Sequence, residues 1–219
     1  MIKIKICGFT RVVDVKAACE LGVDMVGVIL IPESSRHVAV DQARKIFREV
    51  EPSISKVAVF MPRSLGDVKE ICRKLRPDCL QFHLTFPIEE LLEKREELDA
   101  QIMIVVPVPQ KADNPEGIIN RVLEVSEAAD FLLIDTKGET GGGTGLTHDW
   151  NLSARIRSVV DKPVFLAGGL NSRNVVQAIK LVRPHGVDVA SGVESSPGRK
   201  DPKLMREFVE AVRNARQYP

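Results

Sequence analysis

Eight short runs rich in aliphatic and β-branched residues recur along the chain, and this recurrence restricts the fold more than any other feature. They are IKIKIC (2–7), DMVGVILI (24–31), SKVAVFM (55–61), DCLQFH (78–83), QIMIVVPV (101–108), DFLLID (130–135), PVFLAG (163–168) and GVDVAS (186–191). Segments with apolar residues at helical spacing separate them. Val68, Ile71, Cys72 and Leu75 make one such stripe, and Leu204, Phe208, Ala211 and Val212 another. Most of the runs are apolar at consecutive positions, as parallel strands covered on both faces are. Eight β-then-α units within 219 residues predict an α/β protein with one domain over 1–219, an eight-stranded parallel (β/α)8 TIM barrel near the compact end of its range. A doubly wound open sheet is the competing architecture. It calls for a glycine-rich dinucleotide turn after the first strand, and CGFTRVV (7–13) does not have that spacing. Thr10 is expected to cap the first helix, with Asp14 in its first turn, and Asn171 or Ser172 to cap the seventh.

Charge narrows the partners. Lys+Arg 31 against Asp+Glu 30 leaves a net charge of +1, which points to neither a nucleic-acid nor a membrane surface. The opening MIKIKICG lacks a secretory apolar core, and no apolar run approaches the ~18 residues of a membrane span. Cys7, Cys19, Cys72 and Cys79 show no C-x-x-C spacing and read as reduced thiols of a cytoplasmic protein. The four histidines lack metal-ligand spacing, so no metal site is expected.

In a barrel, the loops after strands seven and eight commonly hold a phosphate. Gly168-Gly169 and Ser191-Gly192 fall at those two loops. Backbone N–H groups of such turns cradle an anion, although plain turns look the same in sequence. Alternation puts Lys5 and Cys7 on one face of the first strand and Ile4 and Ile6 on the other. With the isoleucines against the helices, Cys7 ends the strand inside the rim, either as a reactive thiol or as a buried structural cysteine. Asp135 closes the sixth strand after FLLI, placed to cap a turn or to act as a general acid kept protonated by apolar surroundings. The segment 136–150 carries Gly141, Gly142, Gly143 and Gly145, a candidate lid or phosphate contact. Arg36 follows the second strand, where its fork suits a carboxylate or phosphate if it is not simply solvated. Gln81 and His83 share a face at the end of strand four, His83 reading as a wall residue rather than a catalyst.

Taken together, KICG (5–8), LQFH (80–83), LLIDT (132–136), GGTG (142–145), DW (149–150), LAGGLN (166–171) and GVDVASGVES (186–195) with the following PGRKD closely resemble the phosphoribosylanthranilate isomerase family of tryptophan biosynthesis. The resemblance spans almost the whole chain. It implies a single barrel without cofactor or metal, a small phosphosugar substrate, and an assembly for which a homodimer is open. It also implies an Amadori rearrangement of N-(5-phosphoribosyl)anthranilate to the corresponding aminoketose. By family position Cys7 is the general base and Asp135 the general acid. Arg36 receives the anthranilate carboxylate, Gln81 and His83 line the substrate, and Asp188 supports the site. Gly142, Gly143, Gly168, Gly169, Ser191 and Gly192 fall at the phosphate grip. A bell-shaped pH dependence follows, its acid limb set by Cys7 and its alkaline limb by Asp135.

The chain departs from the family pattern at three places: Ser35 stands where a proline precedes the arginine, Leu84 replaces a glycine, and His148 replaces a phenylalanine before Asp149-Trp150. All three alter the wall expected around the anthranilate ring. A sister phosphosugar barrel, such as an indoleglycerol-phosphate synthase-like enzyme or an aldolase with Lys5 as a Schiff base, and a non-catalytic scaffold barrel are the competing functions. A scaffold needs neither Cys7 nor Asp135.

Overall fold

The computed structural model describes residues 1–136 and 147–215. All eight expected strands form. They are β1 (Lys3–Cys7), β2 (Met25–Ile29), β3 (Ser55–Phe60), β4 (Cys79–Phe82), β5 (Gln101–Val108), β6 (Phe131–Thr136), β7 (Val164–Leu166) and β8 (Gly186–Val189). They pair in sequence order, all parallel, and β8 returns to β1 to close the barrel. Helices α1 (Val12–Glu20), α2 (Val40–Arg48), α3 (Leu65–Leu75), α4 (Ile88–Glu93), α5 (Pro115–Ser126), α6 (Trp150–Val159), α7 (Val175–Val182) and α8 (Pro202–Asn214) alternate with them.

The period-two alternation of each strand divides the apolar residues between two cores. Ile4 and Ile6 join the large cluster between strands and helices, which includes Val68, Phe208 and Val212. Cys7 faces inward with Met25, Val57, Val59, Met103, Leu133 and Phe165, filling the barrel itself. Inward and outward positions on β1 therefore fall as the sequence implies, and everything inward near a strand's C-terminal end faces one rim.

Two caps differ from expectation. Arg11, not Thr10, occupies the α1 N-cap and makes no side-chain cap. The Thr10 hydroxyl instead donates to the Gly198 carbonyl at 2.6 Å, a partner nearly the whole chain away. At α7 the N-cap is Asn174, also without a capping side chain. Its amide braces the preceding turn instead, accepting from the Asn171 N–H and donating to the Gly169 carbonyl, both at 2.9 Å.

Beyond β8 the chain adds a feature absent from the eight-unit pattern. A short 3-10 turn (Ser191–Val193) leads into a small antiparallel hairpin, β9 (Glu194–Ser196) with β10 (Arg199–Lys200). Pro197-Gly198 makes its turn, with Gly198 at φ 77°.

Candidate active site

Lys5 is the deepest charged group at the rim. Its side chain is fully buried, and Nζ lies 2.9 Å from Asp188 Oδ2, its register partner across the β1–β8 pair. Burial alone would pull the ammonium down; the carboxylate of Asp188 and the nearby Cys7 outweigh it, so Lys5 is held firmly charged. Cys7 sits one inward position above. Burial raises its thiol, and the Lys5 charge offsets part of that rise. Room for the sulfur comes from Gly27, opposite it on β2, where a Cβ would stand 2.8 Å from Sγ.

Asp135 faces the same interior from β6. Burial, reinforced by the charge of Asp188, pushes its carboxyl up to about 6, against the pull of the Thr136 N–H and Lys5. The Thr136 N–H donates to Oδ1 at 2.7 Å and fixes the carboxyl. Asp188 thus lies within electrostatic reach of both Cys7 and Asp135, while Lys5 stabilises whichever of the two is ionised. A cavity of about 50 Å³ is lined by Asp135, Gly168, Gly169, Asp188 and Ser191. The acid and both glycine turns named from sequence therefore open onto one space. Gly168, at φ 84°, admits no side chain, because a Cβ would fall 2.1 Å from Thr136 Oγ1.

Gln81 points inward from β4 and is buried, and its Oε1 has no hydrogen-bond partner among the described residues. Asp188 Oδ1 is likewise unpartnered there. Two acceptors are thus left for a bound molecule. His83 follows β4 half-buried, its imidazole kept neutral by burial. Gly142 and Gly143, with the loop that carries them, lie outside the described residues. Where that segment re-enters, a buried hydrogen-bond chain runs from Thr136 Oγ1 to His148 Nδ1 (3.1 Å) and from His148 Nε2 to Ser153 Oγ (2.7 Å).

Arg36 reaches the rim but is not solvated. It is 7% exposed and passes over Gly8, whose φ of 80° and missing Cβ leave room; a Cβ would sit 2.6 Å from Arg36 Cδ. Glu194 grips its guanidinium, with Nε 2.9 Å from Oε1 and Nη2 2.7 Å from Oε2. Lys200, also buried, places Nζ 2.8 Å from Glu194 Oε1 and 3.0 Å from the Ala190 carbonyl. Sequence reading names neither Glu194 nor Lys200. Both lie within the motifs that carry the family resemblance, and the Pro197-Gly198 pair between them marks a hairpin turn.

A larger cavity, about 1170 Å³, opens at the opposite end of the barrel beside Met1, Arg157 and His185. It includes none of the rim residues.

A buried thiol and a raised carboxyl beside glycine turns at one rim of a closed (β/α)8 barrel define a barrel of the enzyme class, with its site at the C-terminal ends of the strands. The family profile described as N-(5'-phosphoribosyl)anthranilate (PRA) isomerase matches residues 4–211, and the chain belongs to that family. It is 39% identical over 219 residues to the N-(5'-phosphoribosyl)anthranilate isomerase of Haloferax volcanii, covering 99% of this chain and 95% of that one. It superposes with a TM-score of 0.83 at 32% identity on monomers derived from the dimeric phosphoribosylanthranilate isomerase of Thermotoga maritima, covering 98% of this chain and 100% of that one. A phosphoribosylanthranilate isomerase in complex with reduced 1-(o-carboxyphenylamino)-1-deoxyribulose 5-phosphate matches with a TM-score of 0.82 at 31% identity, over 98% of this chain and 100% of that one.

Proposed function

We propose that Cys7 and Asp135 divide the proton transfers of the family's reaction, the conversion of N-(5-phosphoribosyl)anthranilate to 1-(2-carboxyphenylamino)-1-deoxyribulose 5-phosphate in tryptophan biosynthesis. Asp135 gives its proton to the furanose ring oxygen. The C1–O bond breaks, the anilino nitrogen supplies the electron pair, and an iminium forms. Cys7, as thiolate, takes the proton from C2, leaving an enolamine that tautomerises to the aminoketose. The observation that carries this division is the carboxyl of Asp135, buried yet held at about 6, because a general acid works best with its value near the operating pH. Lys5 supports the other half by favouring a thiolate at Cys7.

Gly168, Gly169, Ser191 and Gly192 receive the phosphate in this reading, together with Gly142 and Gly143 from the loop beyond β6. The shared cavity, lined by Gly168, Gly169 and Ser191, supports the first three. Arg36 takes the anthranilate carboxylate at the opposite end of the substrate. Gln81 and Asp188 offer their unpartnered oxygens to the substrate's N–H and hydroxyl groups, and neutral His83 forms part of the wall. The reaction runs in the cytoplasm, where a reducing environment keeps Cys7 free. None of the described helices is long and apolar enough to cross a membrane. The dimeric relative makes a homodimer the assembly to test by light scattering.

The decisive assay follows the loss of anthranilate fluorescence as N-(5-phosphoribosyl)anthranilate is consumed by the parent, Cys7→Ser and Asp135→Asn. Turnover by the parent with near-parent kcat in either variant removes that residue from the mechanism.

A further inference from the structure

The carboxylate that grips Arg36 presents a difficulty for any substrate that must also bring a carboxylate to it. Glu194 occupies the Nε–Nη2 edge of the guanidinium, and a one-to-one pair would leave the site neutral. Two features change that. The fork presents a second edge, Nη1 with the outer Nη2 hydrogen, and none of the described hydrogen bonds of Arg36 uses Nη1. Lys200 then adds a second buried cation, 2.8 Å from the same Glu194 Oε1 that accepts Arg36 Nε. The carboxylate of Asp14, which accepts the Lys200 N–H at 3.2 Å, is already paired with Arg11. Arg36, Glu194 and Lys200 together therefore carry one net positive charge, with the open edge of Arg36 as its outlet.

We infer that Glu194 and Lys200 are positioning residues that hold Arg36 in a fixed orientation and keep its site singly positive, so that it selects a substrate bearing one carboxylate on its aryl amine. The inference rests on the isomerase reading above and adds the source of its specificity. Geometry supports a positioning role over simple packing. Glu194 and Lys200 sit on the two strands of the small β9–β10 hairpin, and the Lys200 ammonium also holds the Ala190 carbonyl. That carbonyl belongs to the residue just before Ser191-Gly192. One hairpin thus ties the carboxylate end of the site to the turn at its other end.

The test compares two substrates, N-(5-phosphoribosyl)anthranilate and its des-carboxy analogue N-(5-phosphoribosyl)aniline. Their ratio of kcat/KM cancels any effect on folding or proton transfer common to both. A parent without turnover of the first substrate refutes the isomerase reading itself, before this inference is reached. With an active parent, Lys200→Met is expected to lower the preference for the carboxylate substrate at least ~10-fold, mainly through its KM, because it neutralises the site. Glu194→Gln adds net positive charge but releases the guanidinium, and a fall in preference there too shows that the brace outweighs the charge. Lys200→Arg restores the charge and is expected to recover most of the preference. A preference within about twofold of the parent in both Lys200→Met and Glu194→Gln, against the tenfold expected for a charged pair, overturns the inference. So does a Lys200→Arg variant as unselective as Lys200→Met.

Discussion

Burial shifts Cys7 and Asp135 in the same direction, upward, which suits the acid and opposes the base. In the proposed mechanism the productive form carries a thiolate and a protonated carboxyl, yet burial keeps the thiol above its ordinary value while Asp135 titrates at about 6. The acid is thus the stronger of the two, and the working form is a minority at every pH. This order reverses the limbs expected from sequence: kcat/KM rises until Asp135 ionises, stays level, and falls once the thiol ionises. Cys7→Ser should lose the alkaline limb together with at least ~10²-fold in kcat, a hydroxyl being a far weaker base. Asp135→Asn should lose the inflection near 6 and give a rate that climbs until the thiol ionises. Steady-state kcat/KM between pH 5 and 10 reads both; an alkaline limb that survives in Cys7→Ser would assign it to another group.

Among the elements, capping side chains separate stability from site geometry. Asp149 accepts from Asn151 N at 2.9 Å and Leu152 N at 3.4 Å and so starts α6. Asn174, at the corresponding place in α7, caps nothing and braces the Gly168-Gly169 turn. Asp149→Ala is therefore expected to lower stability by ~1 kcal/mol, as lost caps do. Asn174→Ala should leave the melting temperature closer to the parent's and raise KM several-fold, since it frees the turn proposed to receive the phosphate. Equal effects of the two substitutions on melting and KM would contradict this division. The strands were legible because each is a continuous apolar run, and the Lys5–Cys7 against Ile4–Ile6 alternation alone gave the inward face of β1. The hairpin after β8 was not legible. Strands of three and two residues show no periodicity, and the Arg36–Glu194 pair joins positions 158 residues apart, which no local pattern records. Thr10 and Asn174 escaped for a related reason: their chain context allows a cap, and a distant carbonyl or a neighbouring turn took the side chain instead.

Across the whole molecule, two buried groups oppose each other in the dependence of stability on pH. Asp135 is raised from 3.8 to about 6 in the fold, so its contribution is fully present below the lower value and is lost as pH rises through the upper one. His148 is lowered from 6.5 to about 4, chiefly by burial. Its contribution is present above the upper value and lost as pH falls towards the lower. His83 and His185 are shifted in the same direction by burial and add to its side. Between pH 7 and 5, linkage gives a loss of about 2 kcal/mol from His148 and a return of about 1 kcal/mol from Asp135. The parent should therefore lose little stability on mild acidification. Asp135→Asn removes one arm. Its amide oxygen can still accept the Thr136 N–H, while the cost of a buried ionised carboxylate disappears, so the variant should be more stable than the parent at pH 7, by up to about 3 kcal/mol. It should then fall by about 2 kcal/mol on going to pH 5, the His148 arm no longer being offset. Urea denaturation of both proteins at the two pH values measures these differences. Parallel pH dependences, or an Asp135→Asn variant no more stable than the parent at pH 7, would mean that Asp135 is not the raised carboxyl that the proposed proton transfer requires.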